Sequence, residues 1–252
     1  MNPGDMIPVV LLILLAVALG AGGTMLVLAF RWRRRKGGPL EAPLPPVGVD
    51  SLDALPFVRP AWRRPACWLA IRSRSLTAVQ TALELNNPKP CSWSEGLNGE
   101  RQLFISPPLN GWILVVGAGL PDPGDDVDAC FRFLTELSRR VGQVQFFKAE
   151  PVLHHHAWAR VEAGRVVRAY AWVGATVWNQ GVKTAAESEL GMKCFGYDET
   201  VSSAAWGVSE LVTANAEKVP LLAARWSLNP ATIDPRFLEQ SHGVAGQAAR
   251  WY

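Results

Sequence analysis

The sequence is short of cysteine and lacks the common catalytic motifs. Only four of its 252 residues are cysteine, which excludes a small disulfide-stabilised scaffold. It contains no G-x-S-x-G elbow, P-loop, kinase signature or H-E-x-x-H helix, and this argues against the familiar catalytic mechanisms. Apolar residues, by contrast, make up 49% of the chain, so a wholly disordered protein is excluded as well.

An excess of one charge sign is also missing from most of the chain. The formal net charge is +3, but from residue 61 onward 19 Lys and Arg stand against 18 Asp and Glu. The surplus of cations therefore lies near the N-terminus, and the larger part of the chain offers no extended phosphate-binding surface. We expect no nucleic-acid partner.

A long uncharged run begins close to the N-terminus. Residues 7–30 carry no charge, and a helix of this length spans roughly 36 Å, enough to cross a hydrocarbon core of about 30 Å. A cleaved signal peptide, the alternative, has a basic start and a shorter apolar core. Here the only charged side chain in residues 1–6 is Asp5. The pattern predicts a retained single transmembrane helix.

A basic flank follows this run and sets the predicted orientation. Because Lys and Arg stay on the cytoplasmic side, we expect residues 1–6 outside the cell (inner) membrane and the chain after residue 30 inside. Contact with anionic lipid headgroups also fits the flank, although a plain topology signal is the simpler interpretation. The flank consists of Arg31, Trp32, Arg33, Arg34, Arg35 and Lys36.

Small side chains recur along the uncharged run. Ala16, Gly20 and Thr24 are spaced by four residues, a period that lets two membrane helices approach closely. This stripe predicts packing against another transmembrane helix.

The prolines mark a linker. Residues 37–65 form a predicted semi-extended spacer, because proline fixes φ and removes a hydrogen-bond donor. A cytoplasmic α+β domain is expected over residues 66–235. Residues 236–252 are expected to form a C-terminal tail ending in Trp251 and Tyr252.

The pattern within residues 66–235 predicts a ferredoxin-like domain. Apolar runs and amphipathic segments alternate in the order β-α-β-β-α-β, in which two helices cover one face of a four-stranded antiparallel sheet. The predicted strands are 67–71, 103–105, 112–116 and 144–147, and the predicted helices run from a Ser75 cap to residue 85 and from Asp125 or Asp126 to Arg140.

An added hairpin and C-terminal helices are expected next. Ala163-Gly164 separates two alternating runs, which predicts a hairpin that extends or covers the sheet. The hairpin strands are 156–161 and 166–172, and the helical segments are 184–190, part of 201–216, and 219–226.

Three adjacent histidines are the first candidates for a metal site. On a strand, His154 and His156 share a side while His155 points to the other, and no nearby Cys, His or carboxylate completes a ligand set. We therefore interpret the three histidines as the polar start of a strand.

A cluster of four aspartates, Asp122, Asp125, Asp126 and Asp128, is the second candidate for a metal site. Their spacing does not match that of a calcium loop, and helix capping accounts for at least one of them. We expect no metal and no cofactor.

Cys91 is the best candidate for a reactive thiol. It stands beside Ser92 and Trp93, but no base that would activate it is recognisable. Gly117-Ala118-Gly119 follows a predicted strand yet lacks the third glycine of a dinucleotide-binding turn. No catalytic residue is predicted.

The leading hypothesis is a non-catalytic accessory or structural subunit, anchored by one transmembrane helix. Its cytoplasmic domain would dock on a larger respiratory, photosynthetic or secretory membrane complex and contact integral membrane protein subunits through Trp178, Tyr197, Trp251 and Tyr252. One alternative is a membrane-tethered ligand-sensing or immunity-type binding module, with a concave surface lined by Trp178, Tyr197 or Trp206. The other is a membrane-tethered enzyme, in which the cysteine and histidine candidates meet a base or a metal.

Overall fold

The computed structural model describes residues 65–98, 103–197, 199 and 206–248, all of which belong to the unit Val58–Tyr252. Several predictions lie outside these residues. They are the uncharged run 7–30 with Ala16, Gly20 and Thr24, the basic flank 31–36, the linker up to residue 64, and the terminal Trp251 and Tyr252.

Within the described residues, nine antiparallel strands form a single sheet. In chain order they are β1 (Cys67–Arg72), β2 (Asn86–Ser92), β3 (Leu103–Ile105), β4 (Trp112–Val116), β5 (Gln143–Glu150), β6 (His155–Glu162), β7 (Arg165–Trp172), β8 (Thr176–Gln180) and β9 (His242–Gln247). Their order across the sheet is β2-β9-β3-β4-β1-β5-β6-β7-β8.

Six helices in the same ranges cover the two faces of the sheet. They are α1 (Leu76–Ala82), α2 (Trp93–Asn98), α3 (Val127–Val141), α4 (Ala185–Glu189), α5 (Trp206–Trp226) and α6 (Pro235–Gln240), with a 3-10 turn at Pro230–Thr232. Side chains alternate between the faces along each strand, so β1 and β3 to β7 each contribute to two separate cores.

The aliphatic face packs against α1 and α3, and the aromatic face packs against the other four helices. The aliphatic face is built largely from Leu69, Ile71, Ile105, Ile113, Val115 and Val144, with Leu134 and Leu137 of α3 above them. The aromatic face is built largely from Trp68, Trp93, Phe104, Phe147, Trp158, Tyr170 and Trp172, with Val219 and Leu222 of α5 above them.

Local chemistry explains several boundaries. The Asp126 carboxylate accepts from the Ala129 backbone N–H at 2.8 Å and begins α3, and Ser75 caps α1 in the same way. Both caps are as predicted. Between β6 and β7, Ala163 and Gly164 have φ values of 47° and 80°, as the tight hairpin turn with two positive φ values requires.

The ferredoxin-like fold prediction is wrong. The four predicted strands do lie side by side, in the order β3-β4-β1-β5, but they are the centre of a nine-stranded sheet rather than a complete one. Strands β2 and β9 extend the sheet beyond β3, and β6 to β8 extend it beyond β5. Helices cover both faces and not one.

The predicted single-pass transmembrane helix, residues 7–30, lies outside the described residues, and the helices that are described do not supply one in its place. Among the residues that the structure describes, no helix is both long and apolar enough to cross a membrane. The longest of them, α5, has 21 residues but includes Glu217, Lys218 and Arg225.

Candidate functional site

A groove of about 500 Å³ lies between the sheet and α5. On the sheet side it is lined by Pro65, Ala66 and Trp68 at the start of β1, and by Ala149 and Pro151 at the end of β5. Strands β1 and β5 are neighbours, which brings these two segments together. Its volume lies in the range of ligand-binding clefts.

The opposite wall of the groove comes from α5 and the 3-10 turn. Ala216, Glu217 and Pro220 occupy one stripe of α5, because residues three and four apart share a helix face, and Asn229, Pro230 and Ala231 continue the wall. Ala66, Pro151, Glu217 and Ala231 are exposed, so the groove opens to solvent.

Few polar groups line the groove. The Asn229 side-chain oxygen accepts from the Ala231 backbone N–H at 3.0 Å, and within the described residues the Asn229 amide nitrogen has no hydrogen-bond partner. The Trp68 indole, stacked on Phe147 at 5.3 Å between ring centroids, is buried, and its N–H has no partner there either. The site is thus mainly apolar, with isolated polar groups.

Exposed apolar residues are next to lining residues of both walls in the chain. Val152 and Leu153 follow Pro151 in the turn between β5 and β6 and are 81% and 54% exposed. On the other wall, Leu221 is 51% exposed and lies four residues after Glu217, on the same stripe of α5. Exposed apolar residues thus follow directly on lining residues of both walls.

A buried ion pair lies elsewhere on the aromatic face. The Arg168 guanidinium of β7 donates to the Glu187 carboxylate of α4 at 2.9 Å, and both side chains are almost wholly inaccessible. Glu187 also accepts from the Trp158 indole N–H at 2.8 Å and from the Thr184 hydroxyl at 2.8 Å. The carboxylate is therefore hydrogen-bonded on every side, as a buried charge requires.

The remaining Arg168 donors reach β8 and the segment after α4. They bond the Asn179 side-chain oxygen at 2.9 Å, the Gln180 carbonyl at 3.1 Å and the Cys194 sulfur at 3.0 Å. Arg168 thus fixes three chain segments to one another, which is a positioning role.

His156 is buried beside this network. Its Nε2 lies 3.3 Å from the Asn215 amide nitrogen, and its ring stacks on Trp158 at 5.7 Å. Asn215 in turn accepts from the Lys193 N–H at 2.9 Å and donates to the Lys193 carbonyl. Burial lowers the pKa of His156 to about 4, so the imidazole is neutral near pH 7.

The cysteines have raised pKa values. Burial raises the pKa of Cys130 to about 12 and that of Cys194 to about 11, and it raises the Cys67 pKa further. The pKa of Cys91 is also raised, by partial burial and by the nearby Glu95 carboxylate. Because the thiolate is the nucleophile, these shifts do not favour thiol chemistry.

The structure does not bring the candidate chemical residues together. Cys91 lies on β2 and His156 on β6, six strand positions apart, which is roughly 29 Å at the usual strand spacing. The His154 side chain is exposed in the turn before β6. The described ranges contain no group of three or more Cys, His, Asp or Glu that would hold a metal ion.

The predicted docking residues lie at or near β8. Trp178 is only 7% exposed and contacts Phe131 with ring centroids 5.9 Å apart, so it belongs to the aliphatic core. Tyr197 is 59% exposed, and its hydroxyl accepts from the Asn179 N–H at 2.8 Å and donates to the Asn179 carbonyl at 3.2 Å. It covers backbone groups of an edge strand, and neither residue lines the groove.

Sequence reasoning missed the groove and the buried ion pair. Two signals pointed to the pair: Arg168 interrupts an apolar strand, and Thr184 with Glu187 has the spacing of a capping box, which the structure contains. The groove has no comparable signal, because its walls come from segments far apart in the chain.

No family model matches the chain, and no curated protein or solved structure is significantly similar to it.

Proposed function

We propose that the protein is a non-catalytic accessory protein that binds a partner protein through the groove, as a subunit of a larger complex. The observation that carries the proposal is the apolar groove together with the exposed residues Val152, Leu153 and Leu221, which directly follow its lining residues Pro151 and Pro220 in the chain. Contiguous exposed apolar surface is a mark of protein interaction sites. The proposal makes no use of residues 1–64.

The shape of this surface favours a protein over a small molecule. A small ligand is largely enclosed by its pocket, whereas here apolar side chains extend beyond both walls. A protein segment fills the groove with one side chain and covers the flanking residues with its neighbours. Pro65, Pro151, Pro220 and Pro230 make the lining stiff, so little ordering entropy is lost on binding.

The buried polar groups favour a scaffold over a reaction centre. Arg168 and Glu187 are inaccessible and hydrogen-bonded internally, and His156 is 1% exposed. A general acid or base must come within hydrogen-bond reach of its substrate. These groups hold the aromatic face together beneath the groove-bearing helix.

Site-specific photo-crosslinking in cells tests the proposal. A benzophenone amino acid replaces Ala231 or Ala66, which are exposed lining residues, and replaces Ala175 as a matched control at an exposed turn away from the groove. We expect both groove positions, but not Ala175, to give a light-dependent adduct with the same protein. Mass spectrometry should place both crosslinks in one segment of that partner.

A surface variant provides the second control. Replacing Val152 and Leu153 by Asp should abolish the Ala66 adduct without unfolding the domain, because both side chains are largely exposed. The absence of a protein adduct, or equal adducts from Ala175, contradicts the proposal. An adduct of small mass alone indicates the ligand-binding alternative.

A further inference from the structure

We propose that the Tyr197 hydroxyl closes the β8 edge of the sheet and so prevents a second copy of this chain from pairing with that strand. The inference goes beyond the proposed function, because it concerns a surface other than the groove. It is carried by the hydrogen bonds that one exposed side chain makes to an edge strand, and by the different way in which the opposite edge is closed.

Strand β8 is the last strand on its side of the sheet among the residues that the structure describes. In an antiparallel ladder, alternate residues turn their N–H and C=O groups toward opposite neighbours. Strand β7 is the neighbour on one side, so the groups on the other side face no described strand. Such an edge is a template on which a strand of another chain can add.

The Tyr197 hydroxyl occupies this open side at Asn179. It accepts from the Asn179 backbone N–H at 2.8 Å and donates to the Asn179 carbonyl at 3.2 Å. A hydroxyl carries one donor and two acceptor lone pairs, so a single oxygen satisfies both backbone groups that an incoming strand would need. A strand that pairs with β8 at this residue must first displace Tyr197.

The segment before Tyr197 is held in place by three hydrogen bonds to β7 and β8. The Phe195 N–H donates to the Tyr170 hydroxyl at 3.1 Å. The Phe195 carbonyl accepts from the Thr176 hydroxyl at 3.0 Å and from the Asn179 amide nitrogen at 3.2 Å. Because Phe195 is fixed in this way, Tyr197, two residues later, stays within reach of the edge.

Burial does not account for the position of Tyr197. An aromatic ring gains stability by removing apolar surface from water, but Tyr197 is 59% exposed. The position instead provides the two hydrogen bonds to the edge strand.

The opposite edge, β2, is closed by different chemistry. Pro88 and Pro90 have no N–H to offer to an incoming strand, and the Ser92 N–H donates to the Glu95 carboxylate at 3.0 Å. The two proline donors are permanently missing from β2. At β8, by contrast, closure at Asn179 depends on one hydroxyl that comes from 18 residues away in the chain.

Tyr197→Phe in the full chain tests the inference, because it removes the hydroxyl and keeps the ring. Sedimentation velocity at a series of protein concentrations measures self-association, and hydrogen–deuterium exchange measures the protection of the Asn179 amide. Val152→Phe is the matched control, since it places a phenyl ring at an exposed position in the turn between β5 and β6 and leaves the hydrogen bonds of β8 in place. Residues 1–64 are the same in all three proteins, so any association through them is common to all.

We expect Tyr197→Phe to self-associate about tenfold more tightly than the native protein. The reason is that each copy no longer gives up the two hydrogen bonds of the hydroxyl when the strands pair. In dilute solution its Asn179 amide should exchange faster than in the native protein, and at high concentration the amide should regain protection from the second strand. Val152→Phe should match the native protein in both measurements.

Three results would overturn the inference. Tyr197→Phe could associate no more tightly than the native protein, which would mean that the hydroxyl does not close the edge. Equal association of Val152→Phe would identify the exposed ring as the cause, and association without renewed protection of the Asn179 amide would place the contact elsewhere. None of these results changes the photo-crosslinking at the groove, so the proposed function is tested separately.

Discussion

The two faces of the sheet are built from different side chains. The aliphatic face buries Leu, Ile and Val against α1 and α3, and two of its buried polar residues are satisfied within one helix. Thr135 and Ser138, for example, donate to carbonyls of their own helix at 2.9 Å. The aromatic face instead buries Arg168 and Glu187, whose partners come from distant segments.

This difference is consistent with our proposal that the partner binds on the aromatic face. Within the described residues, the Trp68 indole N–H and the Gln145 side-chain oxygen lack hydrogen-bond partners, and both residues come from strands that this face shares with the groove. On the aromatic face, these two hydrogen-bonding groups stay unpaired close to α5. Such local departures from complete hydrogen bonding are common at functional sites.

The largest expected effect comes from breaking the buried ion pair. Glu187→Gln removes the charge that neutralises Arg168 while keeping the side-chain shape. Because it leaves a buried cation uncompensated, we expect the free energy of unfolding to fall by about 3–5 kcal/mol. Urea denaturation followed by circular dichroism measures it.

The matched control is Glu136→Gln on α3. Glu136 pairs with Arg139 at 2.9 Å, but both side chains are about half-exposed, so the expected loss is below about 1 kcal/mol. Equal losses in the two variants would contradict the contrast between a buried and a surface pair.

The second effect is a loss of stability in acid that originates at His156. Its pKa is about 4 in the folded protein because burial disfavours the charged ring, against about 6.5 in an unfolded chain. Since the unfolded state takes up a proton that the folded state excludes, stability is unaffected above pH 6.5 and falls as the pH drops to about 4. The loss from this one group reaches about 3 kcal/mol.

His156→Phe tests the assignment, because a phenyl ring keeps the stacking on Trp158 and Tyr170 but does not titrate. The variant should lose less stability than the native protein between pH 6.5 and 4, by about 3 kcal/mol. His242→Phe, at an exposed position on β9, is the control and should parallel the native curve. Parallel curves for all three proteins would show that His156 is not the source.

The sequence predicts the structure correctly where the determining interactions lie within one short segment. The helix that begins after Asp126 and the turn at Ala163-Gly164 are both found, because capping and turn chemistry act within a few residues. The four central strands were also located, since each is a short apolar run.

The sequence does not predict strands whose pairing partners are distant in the chain. Strand β2 contains Pro88 and Pro90, which argue against a central strand and are tolerated because β2 is at the edge of the sheet. Strand β9 contains two glycines and lies in the predicted tail, yet it pairs between β2 and β3. Because β2, β8 and β9 are not recognisable in the sequence, the pattern predicts a smaller fold than the nine-stranded sheet.

The smallest effect tests whether the two faces act independently. Ile71 on β1 points into the aliphatic core, three residues after Trp68, which lines the groove on the other face. Ile71→Val removes one buried methylene and should lower the free energy of unfolding by about 0.5–1.5 kcal/mol. Because the sheet separates the two cores, the yield of the Ala66 photo-crosslink in the groove should be unchanged. Urea denaturation and the crosslink yield measure the two quantities. A clear change in yield would mean that repacking of the aliphatic face reaches the groove through β1, and that stability and binding are coupled.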